Sequence, residues 1–215
     1  MDELELEFKV STPLYQRIEE HQVKWSSGKK GKYGGGVANN SSDPYRVERI
    51  SMMGEWAFGS GIGMKPDETY REGGDKYDFE LGATIDVKTH IREKDEVIVQ
   101  YADHRNKNPY YYELDKDFYV FARVLSDDRR EQIARVRILG YLPAILIKAR
   151  GDIRVSPYKD TIENYYIRLE DLFTIRGFVN EFRLFNGLNK LQENIKCIND
   201  MDYYIINKVG ERYDD

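Results

Sequence analysis

Three acidic residues and one lysine are the side chains whose types and spacing best suit catalysis: Glu55, Asp78, Asp86 and Lys88. Asp78 and Asp86 lie on either side of a predicted tight turn at Leu81-Gly82, so antiparallel pairing would bring their carboxylates together. Two carboxylates so placed repel each other unless a cation lies between them. Oxygen ligands with water favour Mg²⁺, or Mn²⁺ in its place.

The lysine would add an ammonium group to this metal site. Lys88 follows Asp86 by two residues on one predicted strand, so both side chains point to the same face of the sheet. A metal ion lowers the pKa of bound water, and an ammonium group can orient that water or stabilise charge on a phosphate. This chemistry suits hydrolysis of a phosphodiester. The alternative is that Asp86 and Lys88 form an exposed ion pair worth at most about 1 kcal/mol, and that Glu55 is a solvated helix residue.

The elements that must position these residues follow from apolar spacing and turn signals. A first helix is expected from Thr12, as its N-cap, to about Trp25. Asp43-Pro44 opens a second helix that ends at 59–63 and carries Glu55 off its apolar face. Strands are expected at 76–81 and 83–89, which form a hairpin, and at 96–101, 118–125 and 134–141, with a C-terminal helix over 178–198.

This order of elements predicts an α/β or α+β fold in which helices flank a central mixed β-sheet. A length of 215 residues favours a single domain, 1–215. We divide it into a core of about 43–144, an N-terminal helix and basic loop over 12–42, and a C-terminal helical extension of about 170–215.

The charge of the chain limits how it can meet nucleic acid. A net charge of −5 at pH 7 argues against a protein that coats nucleic acid with its whole surface. A local cationic site is still possible, because Lys29, Lys30 and Lys32 lie in a glycine-rich loop, with Arg46 and Arg49 following. We expect these five residues to contact DNA, and the alternative for the loop is a solvated linker.

Cysteine usage and hydropathy indicate the compartment. The single cysteine excludes an internal disulfide framework and a four-cysteine metal site. The acidic, alternating N-terminus does not resemble a secretory signal, and the most apolar stretch, 141–147, is far shorter than the roughly 20 residues of a spanning helix. We expect a soluble protein of the cytoplasm, or of the host cytoplasm if it is virus-encoded, with no membrane partner.

The candidate residues together resemble the motif of the PD-(D/E)XK, or restriction-endonuclease-like, nuclease superfamily. The motif stands here as Gly54-Glu55 on a helix, then Tyr77-Asp78-Phe79 and Ile85-Asp86-Val87-Lys88-Thr89. The resemblance covers roughly 43–144, and the segments 117–121 and 138–143 are similar to the later strands of small stand-alone phage and archaeal members. It implies a four-stranded mixed sheet flanked by helices, Mg²⁺ dependence and cleavage of DNA.

The resemblance also implies a role for each motif residue. Asp78 and Asp86 would be metal ligands, and the backbone carbonyl of Val87 would be a further ligand. Lys88 would be the catalytic lysine, and Glu55 would bind the metal directly or through water.

The departures from the family pattern bear on the type of nuclease. Tyr77 replaces the proline of the family name, and Cys197 alone cannot supply the iron-sulfur cluster of some members. The glutamine of exonuclease-like members has no counterpart, since Gln100 lies in a predicted strand, so an endonuclease is expected.

Other interpretations stay open from the sequence. The chain could be a catalytically inactive DNA-binding protein on the same scaffold, or a ribonuclease that uses the same site. A homodimer is natural if both DNA strands are cut. The Tyr110-Tyr111-Tyr112 cluster could stack on bases or pack against neighbours, and His90 could approach a phosphate or be structural.

Overall fold

The computed structural model describes residues 6–28, 46–68, 77–80, 82–91, 93–104, 110–157, 159–175, 177–178 and 204–207. Its helices are α1 Thr12–Gly28, α2 Arg46–Ile62 and α3 Ala144–Arg150. Its strands are β1 Leu6–Val10, β2 Phe79–Glu80, β3 Thr84–His90, β4 Glu96–Asp103, β5 Tyr110–Tyr111, β6 Phe118–Asp128, β7 Ile133–Pro143, β8 Asp152–Ser156, β9 Lys159–Arg168 and β10 Tyr204–Asn207.

The strands form two sheets. A six-stranded sheet has the order β10-β1-β7-β6-β3-β2, and it is mixed because β3 and β6 run parallel while the other pairs are antiparallel. A four-stranded antiparallel sheet has the order β5-β4-β9-β8. The fold is therefore α+β with a mixed sheet, as the order of elements predicts. The second sheet was not expected from the sequence.

Each face of the six-stranded sheet is covered by a different layer. Apolar residues of α1 and α2, such as Ile18 and Trp56, pack with Val87 and Val120 in one core. On the other face, Tyr119 and Phe121 of β6 pack with residues of β4 and β9 in a second core. The strand β6 is thus buried on both faces, as its continuous apolar sequence predicts.

The first helix differs from the prediction at its ends, whereas the second ends at Ile62, within the predicted range 59–63. The first hydrogen bond of α1 runs from Tyr15 N to Ser11 O (2.8 Å), so Ser11 and not Thr12 is the cap. The second helix continues through Gly59, and glycine is required there by packing, since a Cβ would lie only 2.4 Å from Met64 O. It ends in a Schellman motif, in which Gly63 has φ 75° and Met64 N donates to Gly59 O.

Several predicted features lie outside the described residues or differ from them. Asp43-Pro44, the basic loop and almost all of the predicted helix over 178–198 lie outside the described part of the chain. Residues 204–207 form a strand paired with β1, so the C-terminal extension is not helical there. Among the described residues, no helix combines the length and the apolar character that crossing a membrane requires.

Candidate active site

The hairpin of β2 and β3 brings Asp78 and Asp86 together. Phe79 pairs with Ile85 and Glu80 with Thr84, so the same register one residue further places Asp78 opposite Asp86. Because β2 begins only at Phe79, no strand of the described residues pairs with the adjoining edge of β3. The Asp78 side chain takes the place of a strand there, since Val87 N donates a hydrogen bond of 2.6 Å to Asp78 Oδ2.

Lys88 lies directly against Asp86. Its Nζ is 2.5 Å from Asp86 Oδ2, and it is 6.0 Å from the ring centroid of Tyr119, the neighbour of Asp86 on β6. Asp86 and Lys88 alternate with the buried Ile85 and Val87, so both polar side chains share the face of β3 that is turned away from α2. The ammonium group is thus held between a carboxylate and an aromatic ring.

Glu55 lies on α2, which packs unusually close to β3 on the face opposite to Asp86 and Lys88. A Cβ on Gly54 would lie 2.0 Å from Thr89 Oγ1, and that hydroxyl donates to Ser51 O (3.3 Å). Glu55 follows Gly54, and its charge acts on both Asp78 and Lys88. The four predicted residues therefore share one electrostatic environment.

The ionisation of Asp78 shows how unfavourable this environment is for a carboxylate. Burial raises the pKa of Asp78 well above its ordinary value, and the negative charges of Glu55 and Asp86 raise it further. The hydrogen bond from Val87 N and the charge of Lys88 lower the pKa, but they do not outweigh the first two effects. Asp78 therefore binds a proton, or another cation, more readily than an ordinary aspartate.

The ionisation of Lys88 is set by the same neighbours. Burial alone would lower the pKa of Lys88, but the charge and hydrogen bond of Asp86 raise it, and Asp78 and Glu55 raise it further. The net direction is upward, so Lys88 is an ammonium group at neutral pH. In this state it acts as a cation and hydrogen-bond donor and not as a base.

The donor set fits a hard divalent cation in its chemistry. Glu55, Asp78 and Asp86 offer only oxygen ligands, and a cation among them would relieve the repulsion that raises the pKa of Asp78. As the side chains stand, the described residues contain no group of three His, Cys, Asp or Glu arranged to hold a metal ion.

The predicted DNA-contacting cations have different outcomes. Lys29, Lys30 and Lys32 lie outside the described residues, and Arg46 is exposed at the start of α2. The expectation for Arg49 is wrong, because its side chain is only 2% exposed and its Nη2 lies 2.9 Å from Asp127 Oδ2. Arg49 is a buried partner of Asp127 and is not available to phosphates.

Two further residues lie on the site face of the sheet next to these four. His90 follows Lys88 by two residues, and its register partner on β6 is Arg123. The His90 ring stacks on Phe121 at 6.5 Å between centroids, and in the described part of the chain its Nε2 has no hydrogen-bond partner. The spacing from Lys88 was the available sequence signal for His90, whereas Arg123 could be placed only by the pairing of β3 with β6.

The interpretation of this site rests on its own geometry. Comparisons of the chain with models of protein families, with curated proteins and with solved structures found no match.

Proposed function

We propose that this chain is a Mg²⁺-dependent DNA endonuclease whose core is restriction-endonuclease-like. The observation that carries the proposal is the grouping of Glu55, Asp78 and Asp86 beside one lysine ammonium. A structural role does not account for this grouping, because burying a carboxylate beside two others opposes folding. A binding site for a divalent cation does account for it.

Each residue of the group has a chemical task in this proposal. Asp78, Asp86 and Glu55 would hold the metal, with the Val87 carbonyl as a further ligand. When bound there, Mg²⁺ or Mn²⁺ supplies a water of lowered pKa and neutralises charge on phosphate oxygens. The Lys88 ammonium donates a hydrogen bond to a phosphate oxygen or to the attacking water. Asp86 and the ring of Tyr119 keep that ammonium in place.

The test is cleavage of supercoiled plasmid DNA by the purified chain. We expect cutting with Mg²⁺ and none with EDTA, and we expect Asp86→Ala to lower the rate at least about 100-fold, because it removes both a metal ligand and the partner of Lys88. Glu80→Ala is the matched control, since Glu80 is an exposed acid on the same hairpin. Thermal unfolding of both variants checks that the fold is intact.

The same assay separates the alternatives. Undiminished cutting by Asp86→Ala would refute the assignment of the site. A gel shift without cleavage in either Mg²⁺ or Mn²⁺ would favour an inactive DNA-binding protein. Faster cleavage of an RNA strand than of the DNA strand of equal sequence would favour a ribonuclease. Sedimentation of the chain with and without DNA tests the homodimer that double-strand cutting suggests.

A further inference from the structure

We propose that Tyr110, Tyr111 and Tyr112, here called the tyrosine platform, stack on unpaired nucleobases of the substrate strand. The inference rests on the proposed function and narrows its substrate to DNA with an unpaired region, such as a single-stranded tail, flap or loop. It is carried by the exposure of these rings, by their anchorage in the fold and by their connection to the candidate active site.

The three tyrosines of the platform are exposed to solvent, whereas the tyrosines of the two cores are buried. Tyr110 is 63% exposed, Tyr111 52% and Tyr112 36%, whereas Tyr119 and Tyr165 are 4% and 7% exposed. The rings of Tyr110 and Tyr112 lie edge to face, with centroids 4.8 Å apart. The cluster therefore places aromatic surface in solvent without filling a core.

The platform is nevertheless held firmly by the four-stranded sheet. Its first two residues form β5, which pairs with Ala102 and Asp103 of β4. Tyr112 N donates to Tyr101 O (2.8 Å), and the Tyr101 ring packs against both Tyr111 and Tyr165, at 5.6 and 5.1 Å between centroids. These contacts fix the backbone of the platform and the ring of Tyr111, so the rings of Tyr110 and Tyr112 project from an ordered edge of the sheet, which lowers the conformational entropy lost on binding.

The chain connects the platform to the candidate active site over a short distance. Four residues lead from Tyr112 to Lys116, a span of at most about 14 Å. Backbone hydrogen bonds from Asp115 and Lys116 reach Tyr119, whose ring lies 6.0 Å from the ammonium of Lys88.

The start of β3 is tied to the same segment. Thr84 N and Thr84 Oγ1 donate to Asp117 Oδ2, at 2.7 and 2.9 Å. The chain segment 112–117 therefore links the platform to the start of β3, through the hydrogen bonds of Asp117 with Thr84.

The chemistry of the rings selects the ligand. Every nucleobase has an aromatic face, and stacking on tyrosine tolerates any base sequence. In an intact duplex these faces are covered by neighbouring base pairs, so the platform can stack only on bases that are unpaired or lifted out of the helix.

The experiment measures binding separately from cleavage. Fluorescence anisotropy with the full chain in EDTA reports the affinity for a short labelled single strand of mixed sequence and for a blunt duplex of equal length. We expect the double variant Tyr110→Leu/Tyr112→Leu to bind the single strand at least about fivefold more weakly, with duplex binding unchanged. The pair Tyr110→Phe/Tyr112→Phe keeps the rings and should bind within about twofold of the parent chain.

Two controls keep the proposal falsifiable. Ile153→Ala removes an exposed apolar side chain on β8, the opposite edge of the same sheet, and should leave binding unchanged. If the double leucine variant does not fold, Tyr110→Leu alone, at the most exposed ring, replaces it. The proposal would be overturned if the leucine variants bound the single strand as tightly as the parent chain does. It would also be overturned if they lost affinity for the single strand and for the duplex equally.

The outcome for the platform is distinguishable from the outcome for the nuclease. If the leucine variants lose single-strand binding while the parent chain cuts nothing, the platform is supported and the proposed function fails. If Asp86→Ala abolishes cutting while the leucine variants bind like the parent chain, the function is supported and the platform is overturned.

Discussion

At the scale of single residues, the folded chain disfavours the protonated, positively charged form of His90, which lies beside the site. Burial, together with the charges of Arg123, Lys88 and Lys94, lowers the pKa of His90 from 6.5 to about 4. Between these two values the unfolded chain binds a proton that the folded chain does not. The free energy of unfolding therefore contains a contribution from His90 that is present above pH 6.5 and is lost as the pH falls towards about 4.

This linkage predicts the behaviour of His90→Gln. Glutamine cannot be protonated, so the variant should lose less stability on acidification, by up to about 3 kcal/mol. Urea unfolding of both proteins, followed at a series of pH values across this window, measures the difference. Parallel stability curves would show that His90 titrates alike in the folded and unfolded chain and would contradict the prediction.

At the scale of elements, the close packing of α2 on β3 holds Glu55 beside the hairpin. The packing depends on Gly54, because a Cβ at this position would lie 2.0 Å from Thr89 Oγ1 and 3.0 Å from Thr89 Cβ. A threonine in a strand cannot move aside easily, since its branched Cβ restricts it to few rotamers. Any larger residue at position 54 must therefore move the helix.

We expect Gly54→Ala to be destabilising although alanine favours helices. Overpacking costs about 1 to 3 kcal/mol, and the gain in helix propensity offsets about 1 kcal/mol. Because a displaced helix would carry Glu55 away from Asp78, the proposed nuclease activity should also fall at a temperature where the variant is folded. Chemical denaturation and plasmid cleavage measure the two effects. Gly177→Ala is the matched control, since its Cβ would meet only Thr174 Oγ1 at 3.8 Å, and an equal effect there would contradict the argument.

The sequence predicted contacts between residues close together in the chain better than contacts between residues far apart in it. Asp78 and Asp86 could be placed together because one tight turn joins their strands, and the charge of Glu55, on α2, acts on Asp78. Arg49 was misjudged because its partner, Asp127, lies on a strand far along the chain, and helical spacing carries no information about it. The second sheet was missed for the same reason, since β4 and β9 are brought together by long-range pairing.

At the scale of the whole molecule, the fold uses many of its described cations internally. Glu7 is 1% exposed and is bound by both Arg135 and Arg137. Other arginines pair with acids across elements, as in Arg17 with Glu68 and Arg154 with Glu96. Cations engaged in this way meet DNA phosphates less readily, because a phosphate must first displace their carboxylate partners. For a chain with a net charge of −5, DNA binding should therefore depend on cations concentrated in one segment.

The segment that best meets this requirement is the glycine-rich one that joins α1 to α2, the helix of Glu55. We expect the triple variant Lys29→Gln/Lys30→Gln/Lys32→Gln to bind duplex DNA more weakly, because each lysine that meets a phosphate releases a counterion. The slope of log affinity against log salt concentration changes by roughly 0.9 for each phosphate that is no longer neutralised. If all three lysines contact phosphates, the slope of the triple variant should be shallower by about 2.7. The double variant Lys9→Gln/Lys148→Gln, which neutralises exposed lysines of β1 and α3, is the control and should keep the parent slope. A triple variant with the parent slope would mean that these lysines do not contact DNA, and the phosphate contacts would then have to come from other residues of the chain.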